Sequence, residues 1–314
     1  MTFLVIGEDP PQLFTAETWE KSAPLTGGTS LNIATGLARL GRAVSLLLPA
    51  LENTKLNTQI LQYCQENAIK IYNPSTARAD IPTAAPLLVH IESSEANSYC
   101  ENAPASATAP ASATAPASSV TPASSKNIST PSAEWIKLYH PYATISYNLN
   151  LPADAEKDST QLRAQFESYL PFIDVLKAQA KDLAILYPEN NLEKIAQQIL
   201  AKGVALALIS QQESGLQLYT SRHQITIPSA EVRIADPSGA EDSLMAAFID
   251  GLARLSVLGR EEINGIRNLS KAALVSLGSY GATAAGISLS QYGEHLPTRK
   301  EISAKSEDYS VGAL

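Results

Sequence analysis

The residues best suited to chemistry lie in Asp236-Pro-Ser-Gly-Ala-Glu-Asp242, between a strand-like stretch (231–235) and an apolar helix carrying Leu244, Phe248 and Leu252. Small residues at a strand-to-helix turn leave backbone N–H groups free to hold an anion, and the helix dipole adds to the attraction. A carboxylate one turn inside that helix, Asp242, can take a proton from a hydroxyl that attacks a phosphoryl group held there. A purely local reading stands beside this one. Ser238 and Glu241 make the S-x-x-E pattern of a capping box, and an aspartate favours the first turn of any helix.

A second segment is Gly27-Gly28-Thr-Ser-Leu-Asn32-Ile-Ala34, followed by Leu37-Ala-Arg-Leu-Gly41. Paired glycines before a helix allow a ligand to approach the backbone, and Asn32 offers a donor and acceptors to a polyol. A turn plus a helix cap explains the same residues. The sequence contains no GxxxxGK[ST] phosphate loop, no GxGxxG after a strand, no GxSxG elbow and no HExxH. Any nucleotide chemistry must therefore use another arrangement.

The elements that would position these residues alternate. Strand-like runs at 3–7, 43–48, 70–73, 143–147, 183–186 and 204–210 interleave with helical spacing at 29–41, 57–67, 159–179, 192–201 and 239–255. One or two further helices are expected over 260–287. Such alternation indicates an α/β fold with a parallel sheet, in which ligands bind beyond the carboxyl ends of the strands. Residues 216–219 and 224–227 form an expected hairpin, and 86–101 a second one outside the main sheet. From Ala103 to Ser125 every residue except Val120 is Ala, Ser, Pro or Thr. That stretch has too little apolar area to offset its ordering entropy and is expected to be a disordered insertion, because the βα pattern before it resumes after it.

The 314 residues carry a net charge of −8, which argues against nucleic acid or an anionic membrane as partner. No run of about 18 apolar residues stands out as a membrane span. The N-terminus reads as a first strand rather than a signal peptide. Two cysteines without CxxC spacing and four scattered histidines point to neither a disulfide framework nor structural zinc. A cytoplasmic globular protein, residues 1–314 forming one domain, is the expectation.

The two chemical segments, in this order, resemble the signature regions of the ribokinase-like (pfkB) carbohydrate kinases. The first is similar to GGxxxNxAxxLARLG, matched at Gly27, Gly28, Asn32, Ala34 and 37–41. The second is similar to DTxGAGD, matched at Asp236, Gly239, Ala240 and Asp242. Between them, Tyr147-Asn-Leu-Asn150-Leu resembles FDPNLR, Asn190-Asn-Leu-Glu193 resembles NxxE, and the segment from Ser210 to Gly215 falls where the family has TxGxxG. The resemblance implies a ribokinase-like open, mostly parallel sheet with a small β lid, here about 8–26 and 84–102. It implies an ATP- and Mg²⁺-dependent sugar kinase, fructokinase-like, with Asp242 as general base and the amides of Gly239, Ala240, Glu241 and Asp242 as anion hole. Gly27, Gly28, Asn32, Asp9 and Gln12 would contact the sugar, Ser210, Gly215 and Asn190 the nucleotide, and Glu193 the magnesium through water. A homodimer through the lid edge is a further expectation from sheet-edge physics.

The chain departs from the pattern at ligand-facing positions. Glu241 replaces the last Gly of GAGD, Gln12 stands where a sugar-binding Asp is expected, Gln212 replaces a glycine of the nucleotide loop, Asn148 replaces the Asp of FDPNLR, and Ser279 replaces an Arg. A Glu241 carboxylate about 4 Å from a γ-phosphate would repel it by about 4 kcal/mol, roughly a thousandfold in rate. Closing a capping box with Ser238 would hold it farther away. A weakly active or inactive sugar- or nucleotide-binding relative, and a nucleoside kinase on the same fold, are the alternatives.

Overall fold

A computed structural model describes residues 2–7, 12–14, 25–48, 55–72, 85–93, 131–152, 154–211 and 214–308. In chain order the strands are β1 (Thr2–Ile6), β2 (Gln12–Phe14), β3 (Leu25–Gly27), β4 (Ala43–Leu47), β5 (Lys70–Tyr72), β6 (Leu88–Glu92), β7 (Thr144–Leu149), β8 (Val175–Gln179), β9 (Leu206–Ser210), β10 (Leu216–Tyr219) and β11 (Gln224–Ile227). The helices are α1 (Thr29–Arg39), α2 (Lys55–Glu66), α3 (Pro131–Tyr139), α4 (Ser159–Tyr169), α5 (Ala180–Leu186), α6 (Leu192–Ala201), α7 (Ala240–Arg254), α8 (Ile263–Arg267), α9 (Lys271–Leu289) and α10 (Arg299–Asp308). Nine strands form one sheet in the order β11-β10-β9-β8-β7-β6-β1-β4-β5. The seven from β9 to β5 run parallel, and β10 and β11 close one edge as an antiparallel hairpin. The α/β class and mostly parallel open sheet are as expected. β2 and β3 pair antiparallel outside that sheet.

Both faces of the sheet are buried. Phe3, Val5, Leu88, Val175, Leu206 and Leu208 meet α1, α7 and α9 on one face. Leu4, Val89, Ile91, Ile145, Tyr147 and Leu176 meet α3 to α6 on the other. The alternation along each strand is the period of two that a pleat imposes.

Several expectations require correction. Residues 88–92, expected to begin a lid hairpin, are instead β6, a fully buried strand between β1 and β7. His90 and Glu92 made the segment look superficial, but both are buried and bonded. The helix expected over 159–179 ends at Tyr169, where the turn Leu170–Phe172, containing Pro171, interrupts it, and β8 follows. Residues 183–186 belong to α5, and 231–235 form no strand. Lys271–Leu289 is long and apolar enough by composition to cross a membrane, with mean hydropathy 1.3, contrary to the expectation that no such run exists. It packs against α7, with 44% of its window buried. The 103–125 stretch, Asp9 and residues 94–102 of the expected lid lie outside the described residues.

Candidate active site

Asp236 sets the turn that leads into α7. One carboxylate oxygen accepts from Ser238 N–H (2.9 Å) and the other from Gly293 N–H (3.0 Å), and these bonds hold its carboxyl below its ordinary range. Gly239 is the N-cap at φ +74, a left-handed conformation that favours glycine. No side chain caps the helix, so the capping box between Ser238 and Glu241 does not form. The N–H groups of a helix's first turn have no intrahelical acceptor. Here one of them, on Ala240, reaches Pro237 C=O at a long 3.5 Å.

α1 packs against α7 and brings the other signature segment to this turn. Gly28 is its N-cap, and Gly27, the last residue of β3, pairs with Gln12 of β2. Asn32, buried in the first turn of α1, donates its side-chain N–H to Asp242 Oδ2 at 2.9 Å. Asp242 is only 8% exposed. Burial and the nearby Glu92 carboxylate push its carboxyl up to about 7, against the opposing pull of the Asn32 hydrogen bond and Lys177. Glu294, which also interacts with Asn32, is raised by burial.

A row of polar side chains crosses the sheet beneath α7. Strand register aligns Glu92 with Asn148 and Asn148 with Lys177, so parallel pairing places all three in line. Asn148 donates its side-chain N–H to Glu92 Oε2 at 2.8 Å and accepts from Lys177 Nζ at 3.3 Å. Asn150 donates to the same Glu92 oxygen at 3.0 Å. His90 completes the row, 2.7 Å from Glu92 Oε1 and 2.9 Å from Ser146 Oγ. At the other end Lys177 Nζ lies 2.9 Å from Glu241 Oε2. The Lys177 side chain is 2% exposed and that of Glu241 43%. Burial alone would lower the Lys177 pKa; Glu241, with Glu92 and Asp242, reverses this and holds it above its ordinary value.

The structure therefore unites Gly28, Asn32 and Asp242 with the Gly239–Glu241 turn, and sets Gln12 beside Gly27. Ser210 ends β9 at the carboxyl edge, paired with Gln179 and Leu216. Gly215 turns into β10, where a Cβ would lie 2.2 Å from Ile227 O, so chain packing alone demands glycine there. Asn190 and Glu193 are not brought to the cluster. Asn190 sits in the turn between α5 and α6, bonded to Tyr187 and Glu189. Glu193 lines a shallow cleft with Tyr219 and residues 220–224. Tyr219 pairs with Ala207, at the end of β9 opposite Ser210. The amide-x-x-carboxylate pair that does follow a strand's carboxyl end is Gln179 and the buried Asp182, at the start of α5. Sequence reasoning missed it, and missed Glu92 and Lys177. A lysine and a glutamate inside short, largely apolar strands were the available signals.

Solved structures share this fold at low identity. The fructokinase of Xylella fastidiosa with bound ATP aligns at TM-score 0.74 and 17% identity, covering 99% of both chains. Aminoimidazole riboside kinase of Salmonella enterica aligns at TM-score 0.68 and 14% identity, covering 97% of this chain and 99% of that one. In sequence, 135 residues are 27% identical to a sugar kinase of Pyrococcus horikoshii, spanning 43% of this chain and 41% of that relative's length. The sequence pattern of the pfkB family of carbohydrate kinases matches residues 11–300, and the chain belongs to that family.

Proposed function

We propose that the protein transfers the γ-phosphoryl group of ATP to a hydroxyl of a small sugar, as the fructokinase among its structural neighbours is named for doing. The observation that carries this reading is Asp242. It is a buried carboxylate in the first turn of a helix that no side chain caps, hydrogen-bonded to Asn32 of the other signature segment. A base is most effective when its pKa lies near the working pH, and burial brings Asp242 to about 7. In this reading Asp242 takes the proton of the attacking hydroxyl. The amides of residues 239–242 receive the charge of the phosphoryl group, and Gly27, Gly28, Asn32 and Gln12 orient the acceptor. The β2–β3 pair, beside Gly27, would be part of a lid that excludes water.

Magnesium would accompany ATP. Among the described residues no three His, Cys, Asp or Glu side chains gather into a metal cage. The chemistry of Mg²⁺ does not require one, since it commonly keeps waters and phosphate oxygens and takes one or two carboxylates. Asp182, in the first turn of α5 beyond the carboxyl end of β8, is the residue that would hold it, and the ion would neutralise phosphate charge.

The test is ADP release with ATP and Mg²⁺ across hexoses, pentoses, keto-deoxy sugars and nucleosides, beside Asp242→Asn. Turnover of a sugar that disappears in the variant is the expected result. Turnover of a nucleoside alone would move the acceptor class toward that of the riboside kinase neighbour. ATP binding without turnover of anything would overturn the kinase reading in favour of a binding protein.

A further inference from the structure

Glu241 poses a physical problem. It is a carboxylate in the first turn of a helix whose free amides would have to accept a phosphoryl group. Left alone, such a carboxylate is drawn to the N-terminus of its own helix, where the amides and the dipole attract negative charge. It would then compete for the space that the phosphoryl group needs. The structure shows it drawn elsewhere. Its Oε2 lies 2.9 Å from Lys177 Nζ, down on the sheet.

Lys177 is held in place for this contact. It stands at the centre of β8, on the face that packs against α7, in the row Glu92–Asn148–Lys177. Asn148 accepts from its ammonium at 3.3 Å but brings no charge, and Glu92 accepts its hydrogen bond from Asn148 and acts on Lys177 only through its field. A buried ammonium needs a formal counter-charge close by. The nearest one is the carboxylate of Glu241, which is long enough to reach down from the helix.

We propose, resting on the phosphoryl-transfer reading above, that Lys177 is a positioning residue that acts through Glu241. It pins the Glu241 carboxylate to the sheet and so keeps the amides of residues 239–242 open to a phosphoryl group. The two residues form a unit. The lysine compensates for a glutamate at a helix N-terminus, and the glutamate compensates for a lysine buried in a strand.

The experiment measures MgATP affinity by calorimetry, and ADP release with the best acceptor, in a double-mutant cycle. Lys177→Met frees Glu241 and is expected to weaken ATP binding about 1000-fold, the scale of an unneutralised carboxylate facing a phosphate at close range. Adding Glu241→Gly to Lys177→Met is expected to restore affinity to within about tenfold of wild type, because nothing is left to pin. Should Lys177→Met not fold, Glu241→Asp and Glu241→Gln decide. The aspartate is one methylene too short for Lys177 and leaves its charge at the helix end, so it should bind ATP weakly, whereas the glutamine should not. A double variant no better than Lys177→Met alone would show that Lys177 contacts the phosphate directly, and would overturn the proposal. Wild-type affinity in Glu241→Asp, or no ATP binding by the wild-type protein, would overturn it as well. If the affinity pattern holds while no acceptor is turned over, the pairing stands and the kinase reading falls. If turnover is present without the pattern, the reverse is true.

Discussion

The side-chain amide of Asn32 donates to Asp242 Oδ2 at 2.9 Å, joining the first turns of two helices that lie 210 residues apart in sequence. This bond stabilises the ionised carboxyl, and so opposes the burial that raises its pKa. In the proposed reaction it would make Asn32 a regulator of the base as well as a contact for the acceptor. Asn32→Ala should move the acid limb of the kcat/KM profile to higher pH. It should lower kcat/KM at pH 7 by about 10- to 100-fold, the scale of a hydrogen bond to a charged group. A pH–rate profile of the two proteins checks it, and an unmoved limb would separate Asn32 from the titrating group.

Burial pushes the Asp242 carboxyl up to about 7 from an ordinary 3.8. As the proposed general base it must be ionised, so activity should rise with pH through about 7 and level off above it. Stability should run the other way. Between the two pKa values the folded protein holds a proton that the unfolded chain has lost, so stability falls as pH rises through that window, by up to about 4 kcal/mol. Asp242→Asn removes this contribution along with about 100- to 10,000-fold of the rate. Urea unfolding at pH 5 and pH 8 should therefore show the asparagine variant gaining on wild type at the higher pH. Equal differences at both would contradict a raised pKa.

The pattern of strands and helices was legible where one face of each element carries the apolar residues. α1, with Leu31, Ala34 and Leu37 turned to the core, and β4, with Val44 and Leu46, fell where their periodicity placed them. Reading failed where polar residues enter the sheet. His90 and Glu92 made β6 look like a surface hairpin, and Lys177 hid β8 inside an overlong helix. Each is tolerated in a buried strand because its partner arrives from another strand or helix, and that pairing is invisible in local spacing. Glu241 shows the same limit. Its near neighbour Ser238 made a capping box plausible, but a buried ammonium 64 residues away (241 − 177) won the carboxylate. That Asp242 and Asn32 belong to one cluster was legible, because the turn and helix starts that carry them mark both, and the hydrogen bond between them joins the two segments.

Asp250, fully buried on α7, ties the start of α10 to the turn between α1 and β4. It accepts from Arg42 (2.6 Å), Arg299 (2.8 Å) and Tyr280 (3.0 Å). Replacing it with Ala leaves two partly exposed guanidinium groups to water and a half-buried phenol without its acceptor. The expected loss is about 2–4 kcal/mol, read as a lower denaturation midpoint with an unchanged denaturant slope. Arg299→Ala, which leaves Arg42 in place on the carboxylate, should cost less than half as much. The reverse order would make Arg299 the anchor.

Gly36 is the point where α1 presses on α7. A Cβ at this position would lie 2.7 Å from the Ala246 Cβ, closer than two side chains can stand. Glycine in a helix is unfavourable by about 1 kcal/mol relative to alanine, so its presence here reflects the close approach of the two helices. Gly36→Ala should push them apart, at a cost of about 1–3 kcal/mol in stability. The larger effect should fall on catalysis, because the same movement stretches the Asn32–Asp242 bond one turn away, and a displacement of about 1 Å can lower a rate 100-fold. Trimming the opposing residue restores the space, so Gly36→Ala with Ala246→Gly should recover most of the kcat/KM lost. Failure of that rescue would place the defect in α1 alone rather than in the distance between the helices.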